Sequence, residues 1–417
     1  MGIYTILIVL ICTSAIFSYI NYRFIKMPFV IGLFFLSTIL SLIIISSRIW
    51  HSDYYESIKD VIAHTDISEY VLNIMLGFLL FAGSLHTDWE SIRRQWKPVA
   101  LFALGGVILS TLVIAFLLYH TCSWLDVPLS FLNCLIFGAL ISPTDPIAVI
   151  GILTKANVSK KIEATIVGES LFNDGVGVVI FIALLNALYS KTQVIIPGEA
   201  ALLFVQEALG GSAFGLLLGF VLHRLMRSID NYETEVLLTL AFVMAGYALC
   251  IQFHLSGPLA MVIMGLFVGS YRKDKAMSST TQEYVYKFWT LLDVILNAIL
   301  FIAIAFVLVV IDFKWSYVFV SLMAVPVVLL ARVLVVYFPN LLFPKFTAIS
   351  NAEAKIVVWG GLRGGLSIAL VLSLPPGESK EILTVATYFC VVFSILLQGL
   401  TIERLAKKIL ATNKKKE

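Results

Sequence analysis

The chain has 417 residues, 60% of them hydrophobic and only 13% charged, with a mean hydropathy of +0.97. Apolar runs long enough to cross a hydrocarbon core of ~30 Å recur along it, which excludes a soluble enzyme, a disordered chain and a secreted disulfide scaffold. The five cysteines (Cys12, Cys122, Cys134, Cys250 and Cys390) have no paired spacing, so no disulfide framework or zinc site is expected, and the net charge of +3 matters less than where the charges fall.

In chain order, spans are predicted near Ile3 to Ile20, Phe29 to Ile45, Val71 to Leu85, Val99 to Tyr119, Leu129 to Leu153, Thr165 to Ala187 and Leu202 to Leu222. A second set runs Val236 to Phe253, Pro258 to Tyr271, Leu291 to Ile311, Ser316 to Tyr337, Ile356 to Leu374 and Ile382 to Leu400. The fold class is therefore an all-α polytopic membrane protein of about thirteen transmembrane helices. Most of the 29 Lys and Arg fall in loops after odd-numbered spans or in the C-terminal tail, among them Arg93, Arg94, Lys160, Lys161, Arg224, Arg272 and Lys273. Loops after even-numbered spans hold only Arg48, Lys59, Lys191, Lys314 and Lys380. By the positive-inside rule the N-terminus is expected outside and the C-terminus in the cytoplasm, as in a multi-pass protein of the plasma (inner) membrane. The first span has no basic stretch before it and no small-residue cleavage site after it, so it reads as a retained helix. Loops are short, which leaves a single membrane domain over 1–417, with 401–417 a basic tail suited to anionic lipid.

Ionisable side chains inside spans are expensive, and those present are candidates for function. Asp145 lies in span 5, Glu169 and Asp174 in span 6, Glu207 in span 7 and Asp293 in span 10. Glu207 and Asp293 sit near their predicted span ends and are expected to snorkel. Asp145 and Asp174 each lie about nine residues, or ~14 Å, from the cytoplasmic side, on antiparallel neighbours, so they reach the same depth. Pro143 and Pro146 bracket Thr144 and Asp145 and forbid a regular helix there, so span 5 should be unwound with its carbonyls freed toward a cavity. On span 6, Ser170 with Asp174 and Glu169 with Asn173 are spaced i, i+4 and form one polar stripe. Span 12 carries Arg363 among glycines that include Gly361 and Gly364, which predicts a second break, with Glu169 as partner for the buried guanidinium. Arg332, near the inner end of span 11, reads as a structural charge that pairs with a helix end or snorkels. Spans 5 and 12 run in opposite directions, as an inverted repeat with crossed discontinuous helices requires.

Hard oxygen ligands from Asp145, Asp174, Ser170 and Thr144, without Cys or His, suit a small hard cation and need no cofactor. Desolvation favours a protonated carboxyl and a bound cation favours the carboxylate, so a cation and a proton compete for the same oxygens. Competition at a site reached from alternate sides is antiport. With Asn173 beside Asp174 and no mid-depth Lys, one cation is expected to exchange for one proton without net charge.

The stretches Ser142 to Val149, Gly168 to Val178, Gly257 to Gly269 and Gly360 to Leu366, in this order, resemble the monovalent cation/proton antiporters of the NhaP/NHE branch over nearly the whole chain. The resemblance implies a six-helix ion-translocating core, including about 99–187 and 316–400, beside dimerisation helices, working as a homodimer by an elevator-like movement. It implies that Thr144, Asp145, Ser170 and Asp174 hold the ion while Glu169, Asn173 and Arg363 brace the site. The short tail is similar to that of prokaryotic members. Na+ is the expected substrate, with Li+ and K+ as alternatives; nucleic acid is not an expected partner. An intramembrane aspartyl protease is a remote alternative, since neither a Tyr-Asp nor a Gly-x-Gly-Asp motif is present, and no filter-like repeat supports a channel.

Overall fold

The computed structural model describes residues 3–48, 52–63, 74–145, 158–190, 197–270, 279–311, 314–347 and 349–413. These residues form helices and no strand. In chain order the principal helices are α1 (Ile3–Ile20), α2 (Phe29–Ser47), α3 (Ser52–Ala63), α4 (Leu76–Leu85), α5 (Trp96–Trp124), α6 (Phe131–Ile141), α7 (Lys160–Tyr189) and α8 (Pro197–Met226). They continue as α9 (Tyr232–Gln252), α10 (Gly257–Ser270), α11 (Ser279–Val310), α12 (Trp315–Leu342), α13 (Asn351–Trp359), α14 (Gly365–Leu372), α15 (Glu378–Val392) and α16 (Gly399–Asn413). Among the described residues nine helical stretches are long and apolar enough to cross a membrane, and α4, α6 and α10 are shorter apolar helices. Together with the broken pair α13 and α14, they follow the order of the thirteen predicted spans. The chain is a multi-pass membrane protein.

Side-chain caps fix several helix starts. Ser130 accepts from the Asn133 N–H ahead of α6, Ser159 from Ile162 ahead of α7, and Asn231 from Thr234 ahead of α9. Ser350 and Glu353 close a reciprocal box at the start of α13. Several helices are longer than hydropathy suggests; among them, α11 begins well before the predicted Leu291, and α12 runs past Tyr337 to Leu342. Amphipathic α3 falls in what reads as a loop; its Tyr55 hydroxyl donates to the Val309 carbonyl of α11 at 3.2 Å, which anchors it.

At the centre stands α7, packed against α5, α6, α8 and α10. Buried Phe81, Phe137, Met261, Ile368 and Leu383 fill the core around it. By contrast α1 and α8 leave Leu7, Ile11, Ile16, Leu202, Leu209 and Leu216 exposed. Such faces are unfavourable in water and suit lipid or another apolar surface.

Candidate ion-binding site

Both predicted interruptions are visible. Helix α6 ends at Ile141, and residues 143–145 leave helical geometry where Pro143 has no N–H to donate. Pro146 and the second half of that span, 146–157, lie outside the described residues. The other break separates α13 from α14 across residues 360–364. The breaks cross, and the Asp145 N–H donates to the Leu362 carbonyl at 2.8 Å. Gly364 makes the crossing possible: a Cβ there would come within 2.5 Å of Asp145 Oδ2.

Helix α7 supplies the opposite wall. Asn173 Nδ2 donates to Thr144 Oγ1 at 2.9 Å, its Oδ1 accepts from the Thr144 N–H at 3.3 Å, and the hydroxyls of Thr144 and Ser170 lie 2.9 Å apart. The unwound strand is thus stitched to the helix, and the backbone donor that unwinding frees is satisfied. Thr144, Asp145 and Asp174 line one cavity of about 70 Å³ together with Pro143, Gly364 and Ser367. Of the polar stripe read on span 6, Ser170, Asn173 and Asp174 gather with Thr144 and Asp145 here, whereas Glu169 turns to another partner.

Two charge assignments need correction. Arg363, only 3% exposed, does not pair with Glu169. Its Nη1 donates to the carbonyls of Ser142 and Pro143, the latter at 3.0 Å, and its backbone N–H donates to Ser394 Oγ at 2.8 Å. The guanidinium thus sits on the C-terminal carbonyls of α6, where the helix dipole is negative. Glu169 instead forms a two-pronged ion pair with Arg332: Nη1 meets Oε1, and Nη2 meets Oε2 at 3.0 Å. Arg332 Nη2 also donates to the Val357 carbonyl at 3.0 Å, tying α7, α12 and α13 together. Because α12 continues to Leu342, Arg332 has no short path to an interface and cannot snorkel. Gly361 leaves room for it, since a Cβ there would lie 2.5 Å from Arg332 Nε.

Asp293 also departs from expectation. The early start of α11 puts it mid-helix, where it lines a second cavity of about 470 Å³ with Gly83, His86, Asp88, Ser91, Lys160 and Glu163. One turn on, Asn297 lines the smaller cavity beside Asp145 and Asp174. Sequence reasoning passed over Asn297, although its i, i+4 spacing from Asp293 marks a polar face on span 10. Glu207 is part-buried within α8.

Residues 8–408 match the family model described as sodium/hydrogen exchanger, transmembrane. The Na+/H+ antiporter NhaP of Pseudomonas aeruginosa is 43% identical over 406 residues, 96% of each chain. The Na+/H+ antiporter NhaH of Halobacillus aidingensis is 33% identical over 346 residues, 81% of this chain and 83% of its own. The solved structure of the sodium proton antiporter MjNhaP1 from Methanocaldococcus jannaschii at pH 8 superposes with a TM-score of 0.74, covering 96% of this chain and 97% of its own at 21% identity. That last likeness is one of fold.

Proposed function

The chain belongs to the sodium/hydrogen exchanger family, a family of transporters rather than enzymes, and on that premise we propose that it exchanges Na+ for H+ across a cell membrane. The observation that carries this reading is the shared cavity: Asp145 and Asp174, from an unwound span and a neighbouring helix, meet beside the Thr144 hydroxyl at the crossing of two breaks. A dehydrated cation needs several hard oxygens, and the carboxylates and Thr144 offer them, with Ser170 one hydrogen bond behind. Protonation of the carboxyls removes the charge that holds the cation, so cation and proton leave and enter in turn.

On this reading Asn173 fixes the Thr144 backbone, Arg363 holds the unwound end of α6, and the Glu169–Arg332 pair braces α7 against α12. One Na+ exchanges for one H+ without net charge, by alternating exposure of a core that includes about 99–187 and 316–400. The remaining helices serve as scaffold and as the contact between two copies, with lipid on the outer faces and basic loops toward the cytoplasm. Exchange requires no cofactor.

The test is exchange in proteoliposomes bearing a pH gradient, with Na+, Li+ and K+ added in turn. Dissipation by Na+, insensitive to an imposed voltage, is expected. A response to K+ alone replaces Na+ as substrate, a strong voltage dependence overturns the electroneutral ratio, and no response from folded protein to any cation overturns the exchanger reading.

A further inference from the structure

Asn297 is 1% exposed, and its two amide ends face different tasks. Its Nδ2 donates to the Asp293 carbonyl at 2.9 Å and to Asp293 Oδ1 at 3.0 Å. Its Oδ1 is buried and has no hydrogen-bond partner among the described residues, an arrangement that costs free energy unless something in the adjoining space accepts its lone pairs. Asn297 itself lines the cavity of Asp145 and Asp174.

Asp293, joined to that amide, belongs to the wider cavity of about 470 Å³, which reaches the surface at exposed His86, Asp88 and Lys160. Gly83 lines both cavities, so they adjoin, and the Asp293–Asn297 pair spans the partition between them along one turn of α11. Asp88, Glu163 and Asp293 outnumber Lys160 among the charged groups there, which favours cations in the wider cavity.

We propose that Asn297 is a further cation-binding residue: its Oδ1 takes the ion as it enters the aspartate cavity, and its Nδ2 orients the Asp293 carboxylate that delivers the ion from the wider cavity. The pair lies on α11, outside the residues assigned to the mobile core, so the ion touches it only while the aspartate cavity faces that side. The amide oxygen is neutral and does not titrate, so it assists a cation and offers a proton nothing. This inference rests on Asp145 and Asp174 being the ion site.

The experiment is exchange in vesicles of single orientation, with Na+ supplied from each side separately, for the intact protein, Asn297→Ala and Asp293→Asn. Asn297→Ala is expected to raise the KM for Na+ about tenfold from the Asp293 side, with KM from the other side and the maximal rate little changed. Asp293→Asn, which keeps shape and volume, is expected to give a smaller rise on the same side that grows at low ionic strength. It decides the matter should Asn297→Ala yield no folded protein. An unchanged KM from the Asp293 side, or an equal rise from both sides, overturns the inference while leaving the exchanger intact. Absence of exchange by the unmodified protein overturns both.

Discussion

Helix α7 carries two polar clusters that differ in one respect. On one side Glu169 is fully engaged by Arg332 and buried to 1% exposure. On the other, Ser170, Asn173 and Asp174 meet Thr144 and Asp145 at a cavity. Closed pairing fixes helices, whereas acids around open space are, on the proposed reading, the ones that hold something that comes and goes. Charge inside a membrane thus divides into brace and site according to whether its partner is permanent.

Asp174→Asn breaks the site half of this comparison. It keeps the shape and removes the exchangeable charge, so cation-dependent pH dissipation is expected to fall to background while the thermal melt of the purified protein stays near that of the original. Retained exchange would move Asp174 to the bracing class. Arg332→Ala breaks the other half. It strands Glu169 in the interior, at a cost of about 3–5 kcal/mol. Loss of monodisperse protein in detergent should follow, and Arg332→Leu with Glu169→Leu should recover most of it, because removing both charges leaves none unpaired. A double variant no more stable than Arg332→Ala would contradict a purely bracing role.

The pH dependence sharpens the distinction. If a proton and Na+ exclude each other at one site, protons win as pH falls: the apparent KM for Na+ rises about tenfold per pH unit below the site's titration point and is flat above it, with an unchanged maximal rate. Initial rates over a grid of pH and Na+ concentration measure this. A maximal rate that falls with pH at saturating Na+ would point to control by a separate group. Gly364→Ala should disturb the site as well, since a Cβ there would lie 2.5 Å from Asp145 Oδ2 and 2.7 Å from Asp145 Cβ, so the crossing itself must shift. A raised KM for Na+ with a lower yield of folded protein is expected, and an unchanged KM would contradict the close approach.

Sequence alone marked most of the residues that gather at the candidate site, because prolines beside an aspartate and an i, i+4 stripe of polar residues have few uses in an apolar span. It paired Arg363 with the wrong group for a physical reason. Depth along a helix can be counted from sequence, but the side of a neighbour that a long side chain reaches cannot. The carbonyls of Ser142 and Pro143 that take Arg363 carry no residue-type signal, and Arg332 was placed near an interface because hydropathy ended α12 too early. The same truncation of α11 put Asp293 near a span end, whereas Asn297 lay inside the predicted span and, being uncharged, carried no signal of cost.

Proton release on cation binding tests the central claim most directly. Purified protein in weakly buffered detergent solution, near the midpoint of its pH profile, is titrated with NaCl while a pH dye is read against a choline chloride control. Protons are expected to appear in the solution in step with bound Na+ for the original protein and not for Asp174→Asn. Na+ binding without proton release, or release that persists undiminished in the variant, would contradict competition at that carboxylate.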